Sequence, residues 1–490
     1  MRRLASSSSR FSLPPERLVP LIVATALFME NLDSTVLATS LPAIARDLGE
    51  NPIHLKLALT SYLLALAIFI PASGWLADRF GARTVFRLAM GVFAAGSIGC
   101  GFSTDIGSLV AARVLQGMGG AMMVPVGRLV VLRTIDRSQI VDALAWLTIP
   151  ALLGPILGPP VGGFITTYLN WRWIFWVNVP IAALGIVLAT LHIPNVREEE
   201  RRPFDMIGFV LVGPGLAAFL TGATLSGLGL IPASGVVGLI VGGFLLLVLY
   251  VRHALKAPAP LIDLRLLSLP TFRASITGGF LFRVGVGATP FLLPLLLQAG
   301  FGYDAFRSGL TTFAAGIGSM AMKLVASPIL RRFGFRRVLV LNAVISSIFV
   351  AAPGLFGPST PVVLMIAILV TGGFLRSLEF TSINAVAYAD MPAEKLSRAT
   401  TFATVLQELS GSVGVSIAAL GLEGASRIMG GDPLALNHFP WVFALIGCIS
   451  VCSAVIFWRL LPLGAGEALV ARPVSGGAPV GAKMGAADKP

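Results

Sequence analysis

Charged residues are scarce in this chain of 490 residues. Only 12% of the residues are charged, whereas 56% are hydrophobic and the mean hydropathy is +0.86. A soluble globular domain typically has about 25% charged residues, so this chain has too little polar surface to cover a body that faces water. The apolar residues form blocks of roughly twenty, which is the length of helix that crosses a bilayer. The composition therefore excludes a soluble enzyme and predicts an integral membrane protein made of helices.

Residues that bind metals or phosphates are also few. Cys100, Cys448 and Cys452 lie within apolar segments, which favours small packing residues over a metal or redox pair. No glycine-rich loop followed by Lys and Ser or Thr is present, so nothing in the sequence indicates ATP as the energy source. No Ser, His and Asp constellation can be traced. We therefore expect neither an enzyme nor a metal site nor a bound cofactor.

The net charge of +13 does not indicate nucleic-acid binding. The basic residues lie between apolar blocks, as in loops that face an anionic membrane surface. The first basic segment, Arg2–Arg17, precedes an apolar run that contains Glu30 and Asp33. These two acids argue against a cleaved signal peptide. We therefore interpret the run as the first spanning helix and the basic segment as a cytoplasmic tail.

Apolar stretches bounded by Gly, Pro or charge predict fourteen spanning helices. They lie at 18–40, 56–77, 84–103, 106–130, 139–168, 173–192, 205–226, 231–251, 273–298, 304–327, 337–355, 361–389, 399–424 and 439–460. Lys and Arg concentrate in cytoplasmic loops. With the N-terminus inside, 26 of the 36 basic residues are cytoplasmic, five lie on the opposite side and five lie within spans. If the span count were wrong by one, the basic residues after the error would be assigned to the other side and the asymmetry would be lost. The asymmetry therefore supports the count and predicts that both termini are cytoplasmic.

A short repeat divides the predicted helices. Arg-Phe-Gly-Ala-Arg at 79–83 follows the second span, and Arg-Phe-Gly-Phe-Arg at 332–336 follows the tenth. The copies are eight spans apart, so two homologous six-helix halves need two extra helices between them; repeated halves are common in secondary transporters. The predicted organisation is an N-terminal tail (1–17), a first half (18–192), two inserted helices (205–251), a cytoplasmic linker (252–272), a second half (273–461) and a disordered tail (462–490).

The segment Gly74-Trp-Leu-Ala-Asp78-Arg79-Phe-Gly81-Ala-Arg83 resembles the loop signature of the major facilitator superfamily, Gly-x-Leu-Ala-Asp-Arg-x-Gly-Arg-Lys. The resemblance implies a cytoplasmic gate, in which the glycines allow a tight turn and the charged residues form a network that holds the gate shut. Charges that only set the topology are the alternative interpretation. The second copy would add Arg332, Gly334 and Arg336 to the gate, although it has Arg331 at the position of Asp78.

Two further motifs carry the same resemblance. Arg113-Val-Leu-Gln116-Gly-Met-Gly resembles the family's fourth-helix motif, Arg-x-x-Gln-Gly-x-Gly, which implies that Arg113 relays protons or positions groups in the cavity. A buried Arg normally faces a polar cavity or a partner. Gly154-Pro155-Ile-Leu-Gly158-Pro159-Pro-Val-Gly162-Gly163 resembles the fifth-helix motif of antiporters. Its glycines form a stripe for close packing and its prolines can bend the helix, so plain packing and a gating role both fit.

The first span is similar to the first-helix signature of one branch of this superfamily. Glu30-Asn31-Leu-Asp33-Ser-Thr-Val-Leu-Ala-Thr-Ser-Leu-Pro resembles Leu-Asp-x-Thr-Ile-Val-Asn-Val-Ala-Leu-Pro, and Trp171-Arg-Trp-Ile-Phe-Trp-Val-Asn178-Val-Pro resembles the sixth-helix entry of the same branch. The chain is therefore identified as a member of the fourteen-helix drug:proton antiporter branch. Ala38 replaces the usual Asn, which removes one possible hydrogen bond in the cavity.

Four acidic residues within predicted spans are candidates for proton coupling: Asp33, Glu30, Glu379 and Glu408. A carboxyl group in a low-dielectric environment takes up a proton more readily than one in water. Asp33 is the first choice because motif and chemistry agree there, and Glu30, three residues earlier, is either a second acid or a structural partner. Arg376, one turn from Glu379, can neutralise that acid instead. A buried hydrogen bond would explain Glu408 equally well.

The predicted substrate cavity includes Asn31, Arg113, Gln116, Arg283 and Arg376. Arg283 and Arg113 give this cavity more positive charge than a transporter limited to lipophilic cations needs. Lys323 can instead extend its amine to the membrane interface. An organic anion or a metal–carboxylate chelate therefore stays open as an alternative substrate.

The sequence thus predicts an all-α major facilitator fold whose two halves rock around a midplane cavity. The expected function is export of a drug or other small molecule in exchange for protons, driven by the proton gradient, across the inner membrane of a bacterium. The expected partners are the substrate, protons and the lipid bilayer, with no nucleic acid, and the expected functional unit is a monomer. Uptake by symport and a membrane sensor or channel without active transport are the alternatives.

Overall fold

Helices form all the regular structure in the residues that the computed structural model describes, which are 15–135, 139–195, 203–226 and 229–464. Most of the two predicted tails lies outside these residues. The helices are α1 (Pro15–Leu48), α2 (Lys56–Phe80), α3 (Ala82–Gly101), α4 (Ile106–Thr134), α5 (Ile140–Tyr168), α6 (Trp173–Trp176), α7 (Asn178–His192), α8 (Met206–Leu225), α9 (Ala233–Lys256), α10 (Pro270–Leu295), α11 (Ala305–Phe333), α12 (Phe335–Ala351), α13 (Val362–Tyr388), α14 (Leu396–Met429) and α15 (Phe439–Leu460).

The predicted all-helical fold of fourteen spans is confirmed. Only Val177 separates α6 from α7, and together they form one span, Trp173–His192. Thirteen helical segments of the described residues are long and apolar enough to cross a membrane, and α5 is the fourteenth long helix. The first helix is longer than predicted, because Pro42 lies inside α1 without ending it.

Polar side chains outside the apolar blocks fix where several helices begin. Asp105 precedes α4, and its carboxylate accepts a hydrogen bond from the backbone N–H of Ser108 at 2.9 Å. Hydrogen bonds from the backbone and side chain of Ser108 lower the pKa of Asp105. Asp304 accepts similarly from the N–H of Arg307 at the start of α11. Such caps satisfy amide groups that the first helical turn leaves unpaired.

The two copies of the arginine-containing repeat adopt the same structure. Gly81 joins α2 to α3 with φ of 93°, and Gly334 joins α11 to α12 with φ of 73°; both lie in a region that favours glycine. Each glycine donates its N–H to the carbonyl four residues earlier at 2.9 Å. We call the end of the bundle that carries these two turns the arginine-loop end, and the other the opposite end.

A second correspondence links the repeats to helices further along the chain. Arg83 donates from Nη1 to the carbonyl of Ile193, directly after α7, at 3.2 Å. Arg336 donates from Nη2 to the carbonyl of Trp458, near the end of α15, at 2.6 Å. In each case the last Arg of the repeat binds the sixth span of its own group, counted from α1 or from α10.

We call α1–α7 the first group and α10–α15 the second group. Their packed contacts include α5 against α11 and α2 against α14. At the opposite end, Gln298 donates to the carbonyl of Thr39 at 2.8 Å, and the N–H of Phe306 donates to Thr167 at 3.0 Å. The groups are therefore in close polar contact at that end.

The remaining helices, α8 and α9, pack on each other beside the two groups. α8 also contacts α2 and α14, and Thr224 lies 2.9 Å from Ser416, oxygen to oxygen. Only 11% of the most apolar stretch of α9 is buried, although this helix is strongly hydrophobic. A helix that is apolar all round and largely uncovered is typical of a surface that faces lipid.

Candidate functional site

Asp33 on α1 lies at the centre of a buried hydrogen-bond network. Its Oδ2 accepts from Arg113 Nη1 at 2.5 Å. Its Oδ1 accepts from Gln116 Nε2 at 2.8 Å and from Asn178 Nδ2 at 2.9 Å. Asp33 is 3% exposed and its three partners are completely buried. One cationic and two neutral donors therefore compensate the charge of this buried carboxylate.

Arg113 on α4 is held through the Nε and Nη1 atoms of its guanidinium group, whereas its buried Nη2 has no hydrogen-bond partner among the described residues. Besides Asp33, its Nη1 donates to Gln116 Oε1 at 2.6 Å, and its Nε donates to the carbonyl of Ala58 at 3.2 Å. The ring of Tyr62 stacks on the guanidinium at 4.1 Å. A stacked aromatic face attracts a desolvated cation. The surroundings thus hold Arg113 in one orientation, aimed at Asp33.

The glycines of the fourth-helix motif explain how Arg113 and Gln116 reach this position. A Cβ at Gly117 would meet the backbone of Tyr62 on α2, and a Cβ at Gly119 would meet the backbone of Phe93 on α3. The absence of side chains lets α4 pack closely between both neighbours. Gln116 then reaches Ser97 on α3 at 2.8 Å.

Glu30 lies one turn before Asp33 on α1 and is half-buried. Its Oε2 is buried and has no hydrogen-bond partner among the protein atoms, while its Oε1 and the hydroxyl of Tyr62 both approach Gly120. Glu408, Asp33 and Arg128 are close enough to interact electrostatically with it. Among the described residues, Glu30 is thus an acid beside the network of Asp33 that has no cation of its own at hydrogen-bonding distance.

Glu408 and Arg283 bring the second group to the same region. Glu408 on α14 interacts electrostatically both with Glu30 on α1 and with Arg283 on α10. Arg283 donates from Nη2 to Asn384 Oδ1 at 2.9 Å, and its guanidinium lies 5.5 Å from the ring centre of Phe380. Both predicted residues therefore lie where the two groups face each other, at the level of Glu30.

Glu379 is separate from this arrangement. It is completely buried between α13 and α12, and its Oε2 accepts from Asn342 Nδ2 at 2.7 Å. Arg376, the alternative neutralising partner, forms no ion pair with Glu379 among the described residues. The partner is an amide from the neighbouring helix, because this face of α13 packs against α12.

The side-chain amide of Asn31 forms a hydrogen bond within its own helix. Its Nδ2 donates to the carbonyl of Leu27 at 2.8 Å, and its Cβ packs against Gly154 on α5. Gly158 and Gly162 face Thr35 and Val36 on α1 in the same way. This stripe of α5 therefore brings α1 close, as small residues do between membrane helices.

Gly163 faces the other way from that stripe. A Cβ there would meet the backbone of Ala305 on α11, and the carbonyl of Pro159 lies against Gly309 on the same helix. Pro155 is exposed, and α5 stays helical through all three prolines of the motif. The fifth-helix motif thus packs α1 on one side and the second group on the other.

The predicted gate residues lie at the arginine-loop end. Asp78 forms a salt bridge with Arg133 on α4 at 2.7 Å. The guanidinium of Arg79 lies 5.4 Å from the ring centre of Trp75, and that of Arg332 lies 5.7 Å from Phe333. A side chain at Gly74 would meet open space. The salt bridge therefore joins α2 to α4 within the first group.

Sequence reasoning missed three members of the central network: Ser97, Asn178 and Tyr62. Asn178 stands in the quoted sixth-helix segment, and its position as the first residue of α7, directly after the break at Val177, aims its amide at Asp33. The Asn in that segment was the available signal. Ser97 and Tyr62 carry no local signal, since Ser and Tyr occur widely in membrane helices.

Comparisons with known proteins agree with this fold. The profile of the Major Facilitator Superfamily matches residues 23–415 and, in a second match, 276–483. A Salmonella paratyphi A protein with the provisional name multidrug resistance protein MdtD is 39% identical over 449 residues, which cover 90% of this chain and 94% of the relative.

Solved structures of the same fold cover most of this chain. The crystal structure of a D-xylose–proton symporter superposes with a TM-score of 0.66 at 14% identity, over 92% of this chain and 98% of the symporter. The human organic anion transporter MFSD10 superposes with a TM-score of 0.59 at 16% identity, over 91% and 100% of the two chains. This chain belongs to the major facilitator superfamily, a family of multi-pass membrane transporters and not of enzymes.

Proposed function

We propose that the protein is a proton-coupled antiporter that exports small molecules from the cytoplasm by alternating access. The observation that carries this proposal is the buried pair of Asp33 and Arg113. Charged side chains among spanning helices are energetically costly, so those that occur there usually belong to a transport or proton pathway. The relatives with a multidrug resistance name support a drug or drug-like substrate.

The proposed architecture has two six-helix halves, 18–192 and 273–461, with two inserted helices at 205–251 and a linker at 252–272. The matching turns at Gly81 and Gly334 support the repeat, as do the matching bonds of Arg83 and Arg336. The arginine-loop end is then cytoplasmic, in the inner membrane of a bacterium. The protein works as a monomer, because each chain contains both halves around one cavity.

In the proposed cycle, Asp33 alternates between two states. As a carboxylate it pairs with Arg113 and accepts from Gln116 and Asn178. A proton on Asp33 removes the charge that holds Arg113, so α1 and α4 lose their strongest connection and the network rearranges. Proton binding from outside and proton release inside would then reset the network once per cycle.

Glu30 and Glu408 are the proposed second proton site. Two carboxylates that interact across the groups repel each other when both are charged, and a shared proton removes this repulsion. Their protonation would therefore favour approach of the two halves at the level of the cavity. Glu379 lies between α12 and α13, so a coupling role for it requires movement of those helices.

The proposed gates lie at the two ends of the bundle. The cytoplasmic gate would consist of one salt bridge and the arginines around the two turns: the pair of Asp78 and Arg133, and Arg79, Arg83, Arg332 and Arg336. Contacts of α5 with α11 and of α2 with α14 would form the gate on the other side. Close contact at the opposite end supports a conformation that is shut toward the outside.

The proposal is tested with purified protein in liposomes. A lumen more acidic than the bath should drive uptake of a substrate such as ethidium, and the movement should release protons from the lumen, visible with a trapped pH dye. Collapse of the gradient with a protonophore should abolish the accumulation. Ethidium movement that does not depend on the direction of the pH gradient would contradict proton antiport.

A further inference from the structure

A cavity of about 410 Å³, lined by apolar and polar side chains, lies between α11, α12 and α13 near the arginine-loop end. Its polar lining consists of Lys323, Ser327, Thr381, Asn384 and Tyr388. Leu330, Phe335 and two alanines form an apolar side. We call it the Lys323 pocket. It combines a cation, several hydroxyl groups and an apolar wall, which is the composition of a site for a small amphipathic molecule.

Lys323 lies on the face of α11 that leads to the boundary between the two groups. Gly309 and Gly316 pack against Pro159 and Ile156 of α5. Lys323 follows at the same spacing of seven residues, so it lies on the same face about two turns nearer the arginine-loop end. There the side chain is exposed and donates from Nζ to Thr381 Oγ1 at 2.8 Å. Lys323 therefore faces the space between the groups.

Arg283 extends the positive charge of the pocket toward the cavity centre. Its Nη2 donates to Asn384 Oδ1, and Asn384 lines the pocket. Thr381 and Asn384 are three residues apart on α13, so they lie on one face. The two cations, from α11 and α10, are thus linked through neighbouring residues of α13.

Neither cation has an acidic partner at salt-bridge distance among the described residues. Lys323 donates to a hydroxyl and Arg283 to an amide, both neutral. Glu408 interacts with Arg283 electrostatically, but only from beyond that distance. Arg113, by contrast, forms a salt bridge with Asp33 through its Nη1. The unpaired positive charge of the second group is therefore available to a ligand, and charge-assisted hydrogen bonds to a carboxylate are among the strongest in proteins.

We propose that the Lys323 pocket, with Arg283 at its inner edge, binds the carboxylate of an amphipathic organic acid that the protein exports. This inference rests on the proposed transport function and assigns it a substrate class. Lys323 receives the carboxylate first, because it is exposed, and Arg283 holds it deeper between the groups. The apolar side formed by Leu330 and Phe335 contacts the hydrocarbon part of the acid.

The test compares an anionic and a cationic probe in the same proteoliposomes. With an acidic lumen, the native protein should accumulate both carboxyfluorescein and ethidium. Lys323→Gln and Arg283→Gln should each lower the ratio of the carboxyfluorescein rate to the ethidium rate at least about tenfold, because one charged donor is lost. Lys323→Arg keeps the charge and should keep the ratio within about threefold. Lys256→Gln, which removes an exposed cation at the end of α9, should leave both rates unchanged.

Each result separates the two proposals. Accumulation of ethidium but not carboxyfluorescein by the native protein would overturn the substrate class and leave proton antiport intact. An unchanged ratio of the carboxyfluorescein rate to the ethidium rate in both Gln variants would show that the Lys323 pocket does not bind the carboxylate. If the pH gradient moved neither probe, the proposed antiport itself would fail.

Discussion

Lys56 Nζ lies 3.6 Å from Glu423 Oε1, and this ion pair joins α2 of the first group to α14 of the second at the opposite end of the bundle. The side chain of Lys56 is completely buried and that of Glu423 is 13% exposed. Few other groups can compensate either charge, so the loss of one partner of a buried pair is expensive, at about 3–5 kcal/mol. In alternating access the two groups must separate at this end. The ion pair of Lys56 and Glu423 can therefore form only in the conformation in which the opposite end is closed.

Glu423→Gln should therefore open the opposite end more often. A cysteine introduced at Thr39, which contacts Gln298 across the same boundary, reports this opening through its rate of maleimide labelling. With Cys100, Cys448 and Cys452 replaced by Ala, we expect Glu423→Gln to raise that rate at least about tenfold. The exchanged pair Lys56→Glu with Glu423→Lys should restore slow labelling. An equal rate in native and Glu423→Gln protein would show that the pair does not hold this end.

The pair of Asp33 and Arg113 predicts a non-additive effect on stability. Arg113→Gln leaves a buried carboxylate without its cation, so the free energy of unfolding should fall by about 3–5 kcal/mol. Asp33→Asn in the same chain removes the uncompensated charge and should recover part of that loss. Thermal unfolding in detergent measures both variants. Additive destabilisation would mean that the two charges do not interact in the folded protein.

Alanine substitutions at two adjacent glycines of α5 should affect different properties of the protein, because one glycine faces the first group and the other faces the second group. A Cβ at Gly162 would meet Val36 and Thr39 of α1, within the first group. Gly162→Ala should therefore lower stability by about 1–3 kcal/mol, as overpacking does. Gly163→Ala would press on Ala305 and Phe306 of α11, across the boundary, and should speed maleimide labelling at the Thr39→Cys site.

The same unfolding and labelling measurements on both glycine variants decide this prediction. The expected pattern is a clear loss of stability for Gly162→Ala and a clear gain in labelling for Gly163→Ala. The reverse assignment of the two effects would show that the close approach of α5 and α11 is not what shuts the opposite end.

The repeated turns predict matched losses of stability. Gly81 and Gly334 have φ values of 93° and 73°, where a residue with a Cβ is strained by about 1–3 kcal/mol. A Cβ at Gly334 would meet open space, so Gly334→Ala should lower stability through backbone strain alone. Gly81→Ala also displaces Asn195 and should cost at least as much. Gly74→Ala serves as the control, because Gly74 lies within α2 and a Cβ there would meet open space, so this substitution should not lower stability. Unchanged unfolding temperatures in both Ala variants would contradict the strained geometry.

The fold was predictable because apolar periodicity and the placement of Arg and Lys are local signals. Asp33, Arg113 and Gln116 were also predictable one by one from their motifs, but their mutual contacts depend on how α1 and α4 pack. The alternative role of Arg376 as the cation that neutralises Glu379 rested on helical spacing alone, whereas the packing of α13 on α12 places Asn342 at hydrogen-bonding distance from Glu379. Lys56 and Glu423 lie on helices far apart in the chain, so no sequence spacing links them.

The central claim is that protonation of Asp33 couples the proton gradient to export. Asp33→Asn imitates the protonated acid in size and charge, so it should keep exchange of ethidium across liposomes at equal pH but lose accumulation driven by an acidic lumen. The direct measurement is the ratio of gradient-driven accumulation to equilibrium exchange in native and Asp33→Asn protein. We predict a high ratio for the native protein and a ratio near one for the variant. Full gradient-driven accumulation by Asp33→Asn would contradict the account.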